Sequence, residues 1–489
     1  MWVTTVMEVF FAGAILSLLV DLGGRRYGAR RSYAVGALCA GAVLLSLGLL
    51  VSEWTPLQGI TSLQPTESLY ATLYIVDKFS IFVAFTVMVV GLAVTFFSWR
   101  HFSSGGSSGP FYALLLLLMG SLVGVVSAGD YLTLFLFWEG MSVAAYGLVS
   151  FSREQLSLEA AMKYFFMAGI GSLLALFGIA LLNSATGSIQ LQASISALGS
   201  AGGTFGLCML VIGLGVEAAI VPLHTWLPDV YAAAPLPSAS MVSGAVTGVG
   251  VFAILKVLEP LAIPTQWATI GAGISSLPSS SAMHEVQILI VALALITMLV
   301  GNLSGLVQKN LRRLLSFSSV AQTGYMLAAL ATLSVPGLVA VAFTIWNHGL
   351  LKANFFMLLG KKNSKYEDAD LENLRGVGRN DRPLGFMFAS SSLAMMGAPP
   401  FGMFWSEILV VWALVSASSA MFFWLAVAVV VNIIISIGYY YKIINTVVFG
   451  RSDGPSEKRA KADLAPPAIL LLLSLITGIA PFLLLNQLT

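Results

Sequence analysis

Residues 207–237 read LCMLVIGLGVEAAIVPLHTWLPDVYAAAPLP. The run is apolar enough to enter a membrane. It nonetheless carries Glu217 deep in its first half and Pro222 and Pro228 in its second. Proline removes a backbone donor and collides with the preceding turn, so the spacing predicts a kinked or broken helix here. A second stretch repeats the pattern. MMGAPPFGMFWSE, residues 395–407, sets Pro399 and Pro400 inside another apolar run, with Glu407 some two turns further on.

Working outward, the chain divides into about fourteen apolar segments of roughly 18 to 25 residues, each long enough to cross a ~30 Å hydrocarbon core. They cover residues 4–20, 33–52, 78–98, 111–128, 131–150, 159–183, 204–230, 237–258, 286–306, 314–333, 336–359, 384–416, 420–446 and 465–486. Composition agrees: only 9% of the 489 residues are charged, against about a quarter in a soluble domain. The mean hydropathy is +0.90. Backbone groups in lipid must be satisfied within their own segment, so an all-α polytopic membrane protein is expected. The short alternating strands of a membrane barrel are absent. The opening MWVTTVMEVFFAGAILSLLV lacks a basic stretch and a cleavage site, and reads as the first helix, not as a signal peptide.

The basic residues then set the topology. Nineteen of the 24 Lys and Arg residues fall in alternate gaps between segments. They are Arg25, Arg26, Arg30 and Arg31; Arg100; Arg153; Lys309, Arg312 and Arg313; Lys361, Lys362, Lys365, Arg375, Arg379 and Arg382; and Arg451, Lys458, Arg459 and Lys461. The intervening gaps hold none. By the positive-inside rule these gaps are cytoplasmic and both termini lie on the outer side, in a prokaryotic inner membrane. Lys78, Lys163, Lys256, Lys352 and Lys442 remain within segments or at their ends.

The two proline-broken segments are the seventh and the twelfth. A spacing of five implies two copies of one five-segment unit, and an odd number of crossings makes the copies inverted. The expected organisation is an N-terminal part over 1–103, a first repeat over 104–260, a second over 261–446, and a loop with a last helix over 447–489.

An ionisable side chain at the bilayer centre costs about 2.5–3.5 kcal/mol on insertion scales, so each buried one is a functional candidate. Glu139 sits mid-segment in YLTLFLFWEGMSVAAYGLV, too far from either end to reach water. Glu217 precedes the first break, and Glu407 follows the second. His348 and Lys352 are one turn apart in IWNHGLLKANFF and share a helix face. Lys163 lies near one end of the sixth segment. Acid, amine and imidazole groups in several helices form the inventory of a proton relay. His224, beside the first break, and Lys256, near the end of the eighth segment, are secondary candidates. The competing reading of each is structural: a buried ion pair that pins helices, or a histidine that satisfies a freed carbonyl.

Cys39 and Cys208 both fall in apolar stretches and read as packing residues, and the four histidines lack ligand spacing. No nucleotide-binding or cysteine-cluster motif is present. The expectation is therefore no cofactor, no metal, no catalytic group in the enzymatic sense, and no nucleic-acid partner.

Six stretches in order, FWEGMS (137–142), EAAMKYFFMAG (159–169), VPLHTWLPDVYAAAPLP (221–237), QKNLRRLLSFSSVAQTGYM (308–326), NHGLLKANFFMLLG (347–360) and GAPPFGMFWSE (397–407), carry a resemblance. Over roughly residues 110 to 410 the chain resembles the antiporter-like membrane subunits shared by respiratory complex I, the membrane-bound group 4 hydrogenases and Mrp-type antiporters. Glu407, where many relatives have lysine, and Gln322 lean toward the hydrogenase-related branch. The resemblance implies fourteen helices with two inverted five-helix repeats. It also implies a charged path from Glu139 through positions 217 and 248 to His348 and Glu407. Two positions depart from it. Where relatives carry lysines, this chain has Glu217 and Gly248. Glu139 and Glu217 cannot both ionise cheaply, so they are expected to share a proton or a cation, with Lys163 as a compensating charge. Ser240, Ser243 and Thr247 are expected to carry protons past Gly248.

The function expected is a proton- or sodium-translocating subunit of a multi-subunit redox complex, with other membrane subunits as neighbours and hydrophilic redox subunits as indirect partners. The alternatives are an Mrp-type cation/proton antiporter subunit and a degenerate structural subunit of a membrane arm.

Overall fold

Long apolar runs rich in leucine, valine, isoleucine and alanine fold as helices, which satisfy their backbone groups within the segment, and among the described residues no strand forms. The computed structural model describes residues 2–23, 29–54, 73–101, 108–262, 280–360, 369–451 and 463–488. The basic residues Arg25, Arg26, Lys361, Lys362, Lys365, Lys458, Arg459 and Lys461 lie outside that set, as does the boundary drawn at 103/104.

The first helices are α1 (Trp2–Gly23), α2 (Ala29–Trp54), α3 (Lys78–His101), α4 (Gly109–Ser127), α5 (Tyr131–Val149) and α6 (Gln155–Thr186). A short α7 (Ala193–Ala197) leads to α8 (Ala201–Leu214) and α9 (Trp226–Ala233). Then come α10 (Leu236–Met241), a π turn at Val242–Val246 and α11 (Thr247–Ala262). The remainder is α12 (Ser280–Val307), α13 (Leu311–Leu330), α14 (Val335–Leu358), α15 (Val377–Asn380), α16 (Arg382–Met395), α17 (Gly402–Ser416), α18 (Ala420–Val447), α19 (Ala465–Ile479) and α20 (Phe482–Leu488).

Side chains cap the starts. Asp130 accepts from Thr133 N at 2.8 Å, Ser200 from Gly203 N at 3.1 Å, and Asn310 from Arg312 N at 3.0 Å. Each satisfies a donor that a helix start leaves open.

Among the described residues nine helices are long and apolar enough to cross a membrane, or ten if α19 and α20, bent by 76°, count as one span. The sequence drew fourteen. Its runs 204–230 and 384–416 are each two helices, and their apolar members α8 and α17 are short on their own. α13 and α14 are long enough, but serines, arginines, His348 and Lys352 lower their hydropathy.

α14 is the central rod. It is buried from Gly337 to Leu358 and packs against α3, α10, α11, α13, α16, α17 and α19. α6 is peripheral: Leu156, Phe166 and Leu173 are each more than 60% exposed, an apolar face fit for lipid or a neighbouring chain.

Candidate functional site: buried charges at two helix breaks

α8 stops at Leu214, and the chain unwinds through Gly215–Pro222 before a 3₁₀ turn, Leu223–Thr225, opens into α9. Non-helical backbone at this depth is tolerated only where its polar groups find partners. Here Thr323 of α13 donates to the Ala218 carbonyl at 2.8 Å, Thr297 of α12 accepts from Val221 N at 3.1 Å, and Trp226 Nε1 donates to the Val216 carbonyl at 2.8 Å. The break is thus held from three helices. The second break, Met396–Phe401, lies between α16 and α17, and Trp405 Nε1 donates across it to the Gly478 carbonyl at 2.8 Å. Each break contains a cis X–Pro bond, Val221–Pro222 and Pro399–Pro400.

Glu217 lies in the first break and is wholly withdrawn from solvent. Its Oε1 accepts from Ser142 at 2.9 Å and from Tyr164 at 2.8 Å. Its Oε2 has no hydrogen-bond partner among the described residues. Glu139 lies one turn before Ser142 on α5 and accepts from Ser172 of α6. Through Ser142, the helix that carries Glu139 also reaches Glu217. Among the described residues no cation pairs with either carboxylate.

Lys163 does not supply one. It is largely exposed and pairs with Asp229 of α9 at 2.6 Å, and Asp229 also binds Arg313 of α13 at 2.5 Å. The adjacent Arg312 is buried and donates to the carbonyls of Tyr231, at 2.6 Å, and Ala234. Together these contacts hold the end of α9 against the start of α13. The compensating charge expected of Lys163 thus goes to Asp229 and not to the two carboxylates, while its place near the start of α6 is as the sequence suggests.

His348 and Lys352 are both buried and share the α14 face toward α13. Lys352 Nζ donates to the Leu315 carbonyl at 2.7 Å, and no carboxylate reaches it among the described residues. His348 Nε2 has no hydrogen-bond partner. At the second break, the Glu407 carboxylate lies over Gly397, where a Cβ would collide with it. Gln322, Tyr325, Thr344 and Ser406 line the crevice beside Glu407, which is too narrow to admit a water molecule. Tyr325 continues into a polar cluster: Asn302 donates to Tyr325 at 2.8 Å and to Asn432 Oδ1 at 3.0 Å.

The remaining candidates are separate. His224 sits in the 3₁₀ turn, its ring 6.2 Å from that of Phe317, and its Nδ1 is unpartnered. Lys256, fully buried, donates to Asp77, to Ser80 at 3.0 Å and to the Ile75 carbonyl at 3.1 Å, with Glu259 at 3.7 Å. That cage ties α11 to the start of α3. Gly248 faces α14, where a Cβ would lie 3.0 Å from Ile345 Cγ2. Of the hydroxyls near it, Ser240 and Ser243 bond to carbonyls of their own helix, at 2.8 and 3.3 Å.

Tyr164, Ser142, Ser172, Asp229 and Arg312 were missed as site residues. Asp229 follows Pro228 directly and Tyr164 follows Lys163, so the signal was a polar group adjoining a flagged one.

Two further contacts resemble each other. Asp130, at the start of α5, bridges to Gln190, and Asn310, at the start of α13, bridges to Asp370. In each case a capped helix start pairs with the connection that precedes a broken helix.

A model of the family described as NADH:quinone oxidoreductase/Mrp antiporter, transmembrane, matches residues 128–436. NADH-quinone oxidoreductase subunit N 2 of Symbiobacterium thermophilum is 28% identical, over 90% of this chain and 87% of its own. A chain of respiratory complex I from Thermus thermophilus matches with a TM-score of 0.78 and 25% identity, over 100% of this chain and 99% of that one. A chain of the archaeal membrane-bound sulfane sulfur reductase has the same fold, with a TM-score of 0.84 at 24% identity, over 99% of this chain and 96% of that one.

Proposed function

Because the chain belongs to the NADH:quinone oxidoreductase/Mrp antiporter transmembrane family, we propose that it is an antiporter-like subunit of a multi-subunit membrane redox complex and moves protons or sodium ions. The named relative is a subunit of an NADH-quinone oxidoreductase, which supports the assembly. Electron transfer takes place on other subunits, and this chain carries the cation.

One observation carries the reading: Glu217, His348 and Lys352 are buried among hydrophobic helices, Glu407 is half-buried with its Oε1 withdrawn from solvent, and none of the four is ion-paired among the described residues. A buried charge stripped of its partner costs several kcal/mol, so structural ion pairs are made pairwise. Unpaired groups fit a path that receives its counter-charge only in transit. We assign Glu139 and Glu217 as a shared carboxylate station at the first break, His348 and Lys352 as the central station, and Glu407 as the station at the second break. Lys163, held by Asp229, is assigned to the mouth of the path, and His224 and Lys256 are secondary.

We further propose fourteen membrane crossings, in two inverted five-helix repeats over 104–260 and 261–446. The paired cap bridges, at Asp130–Gln190 and Asn310–Asp370, support the repeat. The alternating basic gaps support termini on the outer side of an inner membrane.

The test is coupled cation uptake in sealed membrane vesicles, with Glu139→Gln and Lys352→Met read beside electron-transfer activity. Lost uptake with electron transfer retained supports the assignment; undiminished uptake overturns it. A second reading, a degenerate structural subunit, is favoured by Ile345 closing over Gly248 where relatives carry a lysine. It predicts that neither variant changes uptake.

A further inference from the structure

α19 is tied to α14 and α17 by Asn354, Thr477 and Trp405, and an apolar groove lies on either side of it. One groove, of about 810 Å³, is rimmed by Arg100, and Asp463 already binds that arginine. The other, of about 880 Å³, lies between α16 and α19. Its walls are Phe386, Met387, Leu471, Leu472 and Leu475, and Phe401 of the second break lines it too. Its rim carries Arg379 and Arg382, both exposed and neither bound to a carboxylate among the described residues. Asp381, between them, is committed to capping α16 through Leu384 N at 3.2 Å.

We propose that this groove holds one anionic glycerophospholipid, its phosphate between Arg379 and Arg382 and its acyl chains between α16 and α19. The charge fits: planar guanidinium groups are the favoured partners of phosphate oxygens, and basic pockets between membrane helices take anionic head groups. The length fits as well. The lining residues along α19 run from Leu464, the residue that caps its start, to Leu475, about 16 Å at 1.5 Å per residue. That is half of a ~30 Å core, the depth of a single leaflet, whereas a helix of a neighbouring subunit would need the whole thickness. The volume is in the range of specific small-molecule sites, about 300–1,000 Å³. The lipid would wedge α19 against α16 and cover Phe401 at the break.

The inference is independent of cation transport, and its test reads lipid instead. The protein is purified in mild detergent with its co-purifying subunits, washed, and its retained phospholipid is quantified by mass spectrometry. The expected result is about one more anionic phospholipid per chain in the native protein than in Arg379→Gln/Arg382→Gln. Arg379→Lys/Arg382→Lys should keep most of it. Leu472→Trp, which fills the groove and leaves both arginines, should expel it. Added phosphatidylglycerol should raise the melting temperature of the delipidated native protein, and phosphatidylcholine should not. Equal anionic lipid in the native and Gln variants overturns the proposal, as does retention of zwitterionic lipid in its place. So does a cross-link from Leu472→Cys to a neighbouring subunit, which would make the groove a protein interface.

Discussion

Lys352→Met is expected to make the protein more stable and useless for transport at once. The amine is fully buried and, among the described residues, has no carboxylate partner and makes one hydrogen bond, to the Leu315 carbonyl at 2.7 Å. Placing a lysine at a bilayer centre costs about 2.5–3.5 kcal/mol on insertion scales. Losing the hydrogen bond costs about 0.5–1.5 kcal/mol. The Leu315 carbonyl is not stranded, since Ser319 also donates to it at 3.2 Å. Methionine keeps the length and adapts its shape, and it is as good a helix former as lysine. The difference leaves a net gain of about 1–3 kcal/mol, roughly a 5- to 150-fold shift in the folding equilibrium. Reversible unfolding in mixed micelles measures the gain, and coupled uptake in vesicles measures the loss. A destabilised Lys352→Met would mean that the amine holds α14 to α13, and the reasoning from unpaired charges would fail. A stabilised variant that still transports would leave the site assignment without its centre.

Substitutions at three other positions, 217, 397 and 248, test neighbouring parts of the site. Glu217→Gln keeps an acceptor for Ser142 and Tyr164, so its stability should stay within about 1 kcal/mol of the native protein while uptake falls. Glu217→Ala strands the Tyr164 hydroxyl, at about 1–3 kcal/mol, whereas Ser142 retains the Trp138 carbonyl at 3.1 Å. Gly397 has φ +70 and the Glu407 carboxylate above it, so Gly397→Ala should cost at least 1–2 kcal/mol and lower uptake; Gly169→Ala, on an open face of α6, should be neutral or stabilising in the same melting assay. Gly248→Lys should destabilise by about 1–3 kcal/mol because Ile345 fills the space, and adding Ile345→Ala should recover part of that loss in unfolding measurements.

The positions of the buried groups were legible because an acid or an amine in an apolar run stands out against its neighbours. So were the breaks, since Pro222 and the Pro399–Pro400 pair cannot continue a helix. Partners were not legible. Lys163 directly precedes Tyr164, which donates to Glu217, yet its own side chain leaves the protein and meets Asp229, because an amine on an exposed helix surface seeks water first. The unwound length was also hidden: prolines mark where a helix fails, but Thr297 and Thr323, far along the chain, supply the bonds that let eight residues stay open. The π turn at Val242–Val246, VSGAV, left no mark in composition, since small and apolar residues of these types also occur in regular membrane helices.

Asp229 serves two cations from two helices, and this gives the three positions unequal tolerance. Replace Lys163 or Arg313 and the carboxylate keeps its other bond, so redundancy absorbs the loss. Replace Asp229 and both contacts vanish together, leaving two positive side chains facing one another. A saturation scan should therefore find position 229 strict and positions 163 and 313 lenient, although the three belong to one cluster.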